Sequence, residues 1–247
     1  MVIPYHETLG VNPQDEEFTR HDVWDFAGTP PAKYPLLLHF PYFDLYRKQL
    51  VKQADLVMAM YMCPDAFTAE QKARNFDYYE PLTVRDSSLS ACTQAVMAAE
   101  VGQLALAYDY LGEAALMDLR DLEHNTRDGV HIASLAGAWI AMVGGFGGLR
   151  HRDGTVGFAP RLPQALSRLA FRMLIRGRRL HVEVTHTDVT YSLADGEPLV
   201  IQRYGEKVQL SADKPEVRPI QAVTVRPQPS QPAGREPVRR RAVETSG

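Results

Sequence analysis

The spacing of apolar residues changes once along this chain, near residue 155, and that change limits the fold more than any other feature. Before it, Leu89, Cys92, Val96 and Ala99 recur at three- and four-residue steps, and so do Leu104, Ala107, Tyr108, Leu111 and Ala115. This spacing gathers apolar side chains on one face of a helix. After it, Leu180-His181-Val182-Glu183-Val184 and Val189-Thr190-Tyr191-Ser192-Leu193 alternate, and Leu199-Val200-Ile201 and Val208-Gln209-Leu210 are short apolar runs. Asp195-Gly196 and Gly205-Glu206 supply turns, so these runs read as antiparallel strands. The expected fold is mainly α with a C-terminal β-domain. Residues 1–155 would be helical, 156–213 a small antiparallel β-sandwich, and 214–247 a tail.

Further helices follow from local signals. Leu45, Leu50, Leu56, Val57 and Met60 give a rough helical period over residues 44–62, which predicts a helix running through Lys52 and Gln53. Thr68 with Gln71 three residues later has the form of a capping box. His131 to Val143 is another helical run. Residues 132–149 carry no charge and are about long enough to cross a bilayer. They also hold Gly137, Gly144, Gly145, Gly147 and Gly148, so the expectation is a helix buried all round, with Trp139 in the core, ending in a flexible glycine turn. Antiparallel helices with short connections suit an α/α barrel or bundle. Pro4, Pro13, Pro30, Pro31 and Pro35 make residues 1–35 an irregular wrap.

Composition excludes several classes. The chain has 247 residues, 45% of them apolar and 23% charged, as in an ordinary soluble globular protein. A net charge of −3 gives no reason to expect nucleic acid. Residues 214–247 have a net charge of +4, which leaves −7 for the rest. They hold six prolines, no aromatic residue and no leucine, so they are expected to be disordered. Arg239-Arg240-Arg241 could touch an acidic partner. Cys63 and Cys92 make no disulfide framework; both are expected to be small buried side chains in a cytoplasmic protein. Residues 1–7 lack the pattern of a signal peptide. No His or Cys spacing suits a metal, and the glycine run fits no dinucleotide or phosphate loop, so no cofactor is expected.

The chemistry concentrates in Tyr78-Tyr79-Glu80-Pro81-Leu82-Thr83-Val84-Arg85-Asp86-Ser87-Ser88-Leu89-Ser90. Glu80 is a candidate general base or acceptor for sugar hydroxyls, and Pro81 after it favours a non-helical turn. Ser87 and Ser88 stand where a helix begins. Unpaired N–H groups and the positive end of the helix dipole favour an anion there, although serine is also a preferred cap. Arg85 could join the anion site, or pair with Asp86 or Asp77 as scaffolding. His131, opening its own helix, is a further donor to an anion. Together these groups read as a site for a sugar beside an anion such as phosphate.

These blocks resemble glycoside hydrolase family 65, the family of maltose, trehalose and kojibiose phosphorylases and some hydrolases. The resemblance also takes in Lys52-Gln53-Ala54-Asp55 and Phe158-Ala159-Pro160-Arg161-Leu162-Pro163 and covers roughly residues 1–212. It implies that residues 1–155 are the C-terminal part of an (α/α)6 catalytic barrel. It implies that Lys52, Gln53 and Glu80 bind substrate and that Ser87, Ser88, His131 and Arg85 bind phosphate, the co-substrate. The family's general acid would lie upstream of this chain. The expected function is therefore part of an inverting phosphorylase or hydrolase acting on a disaccharide such as maltose or trehalose. The alternative is a non-catalytic binding module that pairs with a separate N-terminal half, or with a second copy of itself.

Overall fold

The computed structural model describes residues 3–122, 124–152 and 154–239. Its helices are α1 (Tyr42–Leu45), α2 (Asp55–Met62), α3 (Ala69–Tyr79), α4 (Ser90–Glu100), α5 (Leu104–Leu116) and α6 (Ile132–Ile140). Thr68 caps α3: its hydroxyl accepts from the Gln71 amide while the Gln71 side chain accepts from Thr68 N–H. Gly102, at φ +93°, turns the chain between α4 and α5, and the Gln103 N–H donates back to Ala98 O at 2.7 Å. Helix α5 therefore returns antiparallel along α4.

Helix α6 runs in the same direction as α4. A Cβ on Gly137 would sit 2.6 Å from Cys92 Cβ, and one on Gly145 would sit 3.4 Å from Val96 Cα, so both chains advance together. The start of α4, the start of α6 and the end of α5 consequently share one end of the helical layer.

Several expectations are corrected here. The predicted 44–62 helix breaks into α1, a short strand β2 (Lys48–Gln49) and α2. The strand β1 (Asp22–Val23) pairs in parallel with β2, and Lys52 and Gln53 lie in the loop before α2. Helix α6 is not buried all round: Ile132 is 70% exposed and Trp139 47%, so Trp139 is not a core residue. The glycine run is not a loose turn. Ala141–Phe146 continues α6 as a π-helical turn, with Gly144 against Tyr61 and Gly145 against α4. Cys63 is exposed rather than buried. No described helix is long and apolar enough to cross a membrane.

Strands occupy the C-terminal part and begin earlier than expected: β3 (Arg150–Arg152), β4 (Thr155–Phe158), β5 (Leu169–Ile175), β6 (Arg178–Val184), β7 (Asp188–Leu193), β8 (Leu199–Arg203), β9 (Glu206–Leu210) and β10 (Glu216–Pro219). One sheet has the order β10-β7-β6-β5 and is antiparallel. The other, β3-β4-β8-β9, contains a parallel β4–β8 pair, because β5 to β7 intervene between those strands in the other sheet. Alternate residues such as Leu180, Val182, Val184, Val189 and Tyr191 turn inward. They join the helices in one apolar cluster through Phe146 and Phe158.

The chain beyond 213 departs from the disorder expected of it. Besides β10, Gln103 Nε2 donates to Arg226 O (3.0 Å) and Pro227 O (2.6 Å), and Arg226 pairs with Glu70 at 3.1 Å. Backbone carbonyls and charged side chains hold this segment where apolar burial does not. Arg239 is the last described residue, so Arg240 and Arg241 lie outside the described residues.

The Gly137 contact sets the spacing of α4 and α6. Alanine is favoured over glycine in a helix by about 1 kcal/mol, but its Cβ would overlap Cys92, and overpacking costs about 1–3 kcal/mol. Gly137→Ala should therefore lower the stability measured by urea unfolding. A gain of about 1 kcal/mol would contradict this packing.

Candidate functional site

Glu80 is the most confined charged group at this end of the helices. The chain leaves α3 in helical geometry at Glu80 (φ −58°, ψ −48°), not the extended form that the following Pro81 favours, and its N–H donates to Phe76 O. The carboxylate is 2% exposed. It accepts from Gln94 Nε2 of α4 at 2.8 Å, from the Tyr110 hydroxyl of α5, and from Gln231 Nε2 at 3.1 Å. Burial pushes its pKa up, opposed by the hydrogen bonds from Tyr110, Gln231 and Gln94 and by the Arg85 charge.

Arg85 lies beside this group with φ +58°, a strained conformation for a side chain of its size. Its Nη1 donates to Glu113 Oε2 at 2.6 Å, and its guanidinium stands 5.2 Å from the Tyr110 ring centre. The scaffolding partner is therefore Glu113, not Asp86 or Asp77. The buried Nε of Arg85 has no protein partner. A cluster of Glu80, Gln94, Tyr110, Arg85 and Glu113 results, with Glu80, Gln94 and Tyr110 buried and Arg85 and Glu113 lining a cavity of about 180 Å³.

A more open group lies next to it. Gln53 Nε2 donates to Ser87 Oγ at 3.0 Å across 34 residues of sequence. Ser87 and Ser88 occupy the turn before α4, where Ser87 O accepts from Ser90 N–H at 3.1 Å and Ser87 Oγ accepts from Leu89 N–H at 3.4 Å. Lys52 is exposed and lines a cavity of about 290 Å³ with Gln53, Asp86 and Tyr46. Glu80, Ser87, Ser88 and His131 do not line that cavity. His131 opens α6, as expected, and is turned to Asp118: Nδ1 and Asp118 Oδ1 are 2.6 Å apart, and the His131 N–H donates to Oδ2 at 2.9 Å. The structure thus joins Gln53 to Ser87 and links Arg85 to Glu80 through Tyr110. His131 reaches the same end of the layer without touching either group.

The sequence reading missed Gln94, Tyr110, Glu113, Asp118 and the C-terminal segment. Asp86 stood in the motif, yet its role was not visible. Its carboxylate accepts from Leu36 N–H at 2.6 Å and Arg235 Nη2 at 3.0 Å. Arg235 also donates to Val84 O at 2.8 Å and stacks over Tyr34. The segment carrying Gln231 and Arg235 therefore straps the motif loop and places an amide on Glu80. Among the described residues no cluster of His, Cys, Asp and Glu could hold a metal ion.

Comparison with known proteins makes the assignment. Residues 1–140 match the glycosyl hydrolase family 65 central catalytic domain and residues 149–210 the C-terminal domain of that family. The chain belongs to glycoside hydrolase family 65. It is 57% identical over 242 residues to an uncharacterized glycosyl hydrolase of Mycobacterium leprae, covering 97% of this chain and 30% of that protein. It is 42% identical to an alpha,alpha-trehalose phosphorylase of Geobacillus stearothermophilus over 215 residues, covering 87% of this chain and 28% of the enzyme. The solved structure of a candidate kojibiose phosphorylase from the human microbiome superposes with a TM-score of 0.80 at 29% identity, covering 89% of this chain and 30% of that one. The chain spans about a third of the length of these relatives.

Two outcomes follow from this geometry. Glu80 has a raised pKa in the folded chain, so it retains its proton to a higher pH there than when unfolded. Its contribution is complete below the unfolded pKa and is lost as pH rises through the folded one. Glu80→Gln should flatten this loss of stability with rising pH in urea unfolding; an unchanged slope would contradict it. Arg235→Ala removes a cation from the buried Asp86 and should cost about 1–3 kcal/mol, with faster amide exchange across residues 226–238. Unchanged exchange there would contradict the strap.

Proposed function

We propose that this chain supplies the sugar- and phosphate-binding end of a family 65 α-glucoside phosphorylase, with hydrolysis as the same site's water-using variant. The observation that carries the reading is the Gln53–Ser87 hydrogen bond, which brings the expected sugar block and the expected phosphate block together. In this reading Lys52, Gln53 and Glu80 hold hydroxyls of a glucosyl unit from a disaccharide such as maltose or trehalose. The Ser87 and Ser88 hydroxyls and the start of α4 hold phosphate, with His131 presented from the start of α6. Asp118 fixes the His131 ring as an orienting partner. Arg85 acts through the electrostatics of this cluster, because Glu113 already holds its guanidinium. Glu80, if it serves as a base in hydrolysis, must act in its ionised form and give up the Gln231 amide.

The reaction further requires an acid that protonates the glycosidic oxygen as phosphate attacks from the opposite face. That acid would lie in polypeptide corresponding to the remainder of the relatives. Residues 3–146 would then be the last helices of an (α/α)6 barrel, working in a reducing cytoplasm. The exposed Ile132, Leu135 and Trp139 on one face of α6 favour such a partner surface. They are also the feature that supports the second reading, a non-catalytic module that pairs with a separate half.

Complementation tests the proposal. The chain alone should convert trehalose or maltose plus phosphate feebly at most. Mixed with the preceding segment of the Mycobacterium leprae relative, it should release glucose phosphate, and Ser87→Ala/Ser88→Ala should lower that rate by about 10²–10³-fold. A stable mixed complex without turnover would favour the binding module, and a serine variant with unchanged phosphorolysis would reject the assigned phosphate site.

A further inference from the structure

At the opposite end of α4, charge is unevenly matched. Glu100 closes the helix and takes Lys72 Nζ on one oxygen at 2.6 Å and Arg150 Nη2 on the other. Burial pushes this carboxyl up, but Arg150 and Lys72 outweigh it and hold its pKa at about 2. Glu100 is therefore fully committed to two cations. A third, Arg161, stands beside them. Its Nε donates to Ala159 O at 3.0 Å and its Nη1 to Ala99 O at 3.2 Å, and neither acceptor carries a charge. Burial pushes the Arg161 guanidinium down, and Arg150 adds to this, while Glu100, shared with Lys72 and Arg150, offsets it only in part. Among the described residues no carboxylate lies within ion-pair distance of it. A buried charge without its partner is expensive, and a fold that keeps one usually meets an opposite charge there.

Space for that charge exists. Arg161 lines a cavity of about 270 Å³ together with Arg150, Arg152, Tyr204, Gly148 and the Glu100 carboxylate, so three arginines face one acid there. Its Nη2 edge has no protein partner there. Arg152 stands at the mouth, paired with Asp65 at 2.7 Å and 43% exposed. Arginine forks of this kind match the geometry of planar carboxylates and tetrahedral phosphates. We propose that the cavity between the C-terminal end of α4 and strands β3, β4 and β8 binds a small oxyanion, held by Arg161 and Arg150 and guarded by Arg152. This site is distinct from the serine pair, because the eleven residues of α4 separate them by roughly 15 Å.

The test removes the serine pair first, so that failure here and failure of the phosphorylase reading can be told apart. The Ser87→Ala/Ser88→Ala chain is titrated calorimetrically with inorganic phosphate and, separately, with acetate. One of the two should bind, which also identifies the ligand as phosphate or carboxylate. Adding Arg152→Ala, a solvent-facing change that spares the fold, or Arg161→Gln should weaken that binding about ten- to a hundredfold. Absence of binding by both anions, or binding unchanged in the Arg152→Ala background, would overturn the proposal.

Discussion

The approach of α4 to α6 at Gly137 is the constraint on which the rest of this architecture depends. With no side chain at that position, Cys92 can lie directly against the α6 backbone. The two helices then run side by side in the same direction, with α5 antiparallel between their turns. One end of the layer thereby collects two helix N-termini, the end of α5 with Asp118, and the Glu80 turn that closes α3. N-termini offer unpaired N–H groups and partial positive charge, so their gathering at one end creates a place suited to an anion. The opposite end of α4 exposes carbonyls instead; Arg161 donates to Ala99 O there, and Arg150 donates to the Glu100 carboxylate.

The site end is divided by accessibility. The Glu80 carboxylate is surrounded by donors from α4, α5 and the C-terminal strap, and its protonation is set by burial more than by its partners. Lys52 and Gln53 line a cavity, and Gln53 is bonded to Ser87, which does not line it. In the proposed reading a glucosyl unit reaching Glu80 Oε1 would compete with the Gln231 amide of the strap.

Much of the fold was legible in local pattern. The Thr68–Gln71 capping box, the α4 and α5 stripes and the alternation in β6 and β7 each rest on residues a few positions apart, and they appear as expected. What failed depended on distant partners. The Lys52 loop was hidden because Leu45, Leu50 and Met60 keep a rough helical spacing across a strand and a bend. Glu80 adopts helical geometry despite Pro81 because α3 runs directly into it and Tyr110 and Gln94 fix its side chain. Arg85 found Glu113, 28 residues away, instead of its neighbour Asp86. Beyond β10 the tail looked too polar to order because its anchors there are hydrogen bonds involving carbonyls and carboxylates, some with partners more than 120 residues distant. The candidate site blocks stand out as short motifs, but the groups that hold them in place do not, since no local spacing marks Gln94 or Asp118.

The central claim is that sugar and phosphate are held side by side where Gln53 meets Ser87. Backbone amide chemical-shift mapping by nuclear magnetic resonance tests it most directly, with glucose and inorganic phosphate added separately and then together. The account predicts that glucose shifts residues 52, 53 and 80, that phosphate shifts 87, 88 and 131, and that each ligand also perturbs residues at the other's contact. Shifts from the two ligands that fall on separate faces, with residues 53 and 87 unmoved, would contradict it.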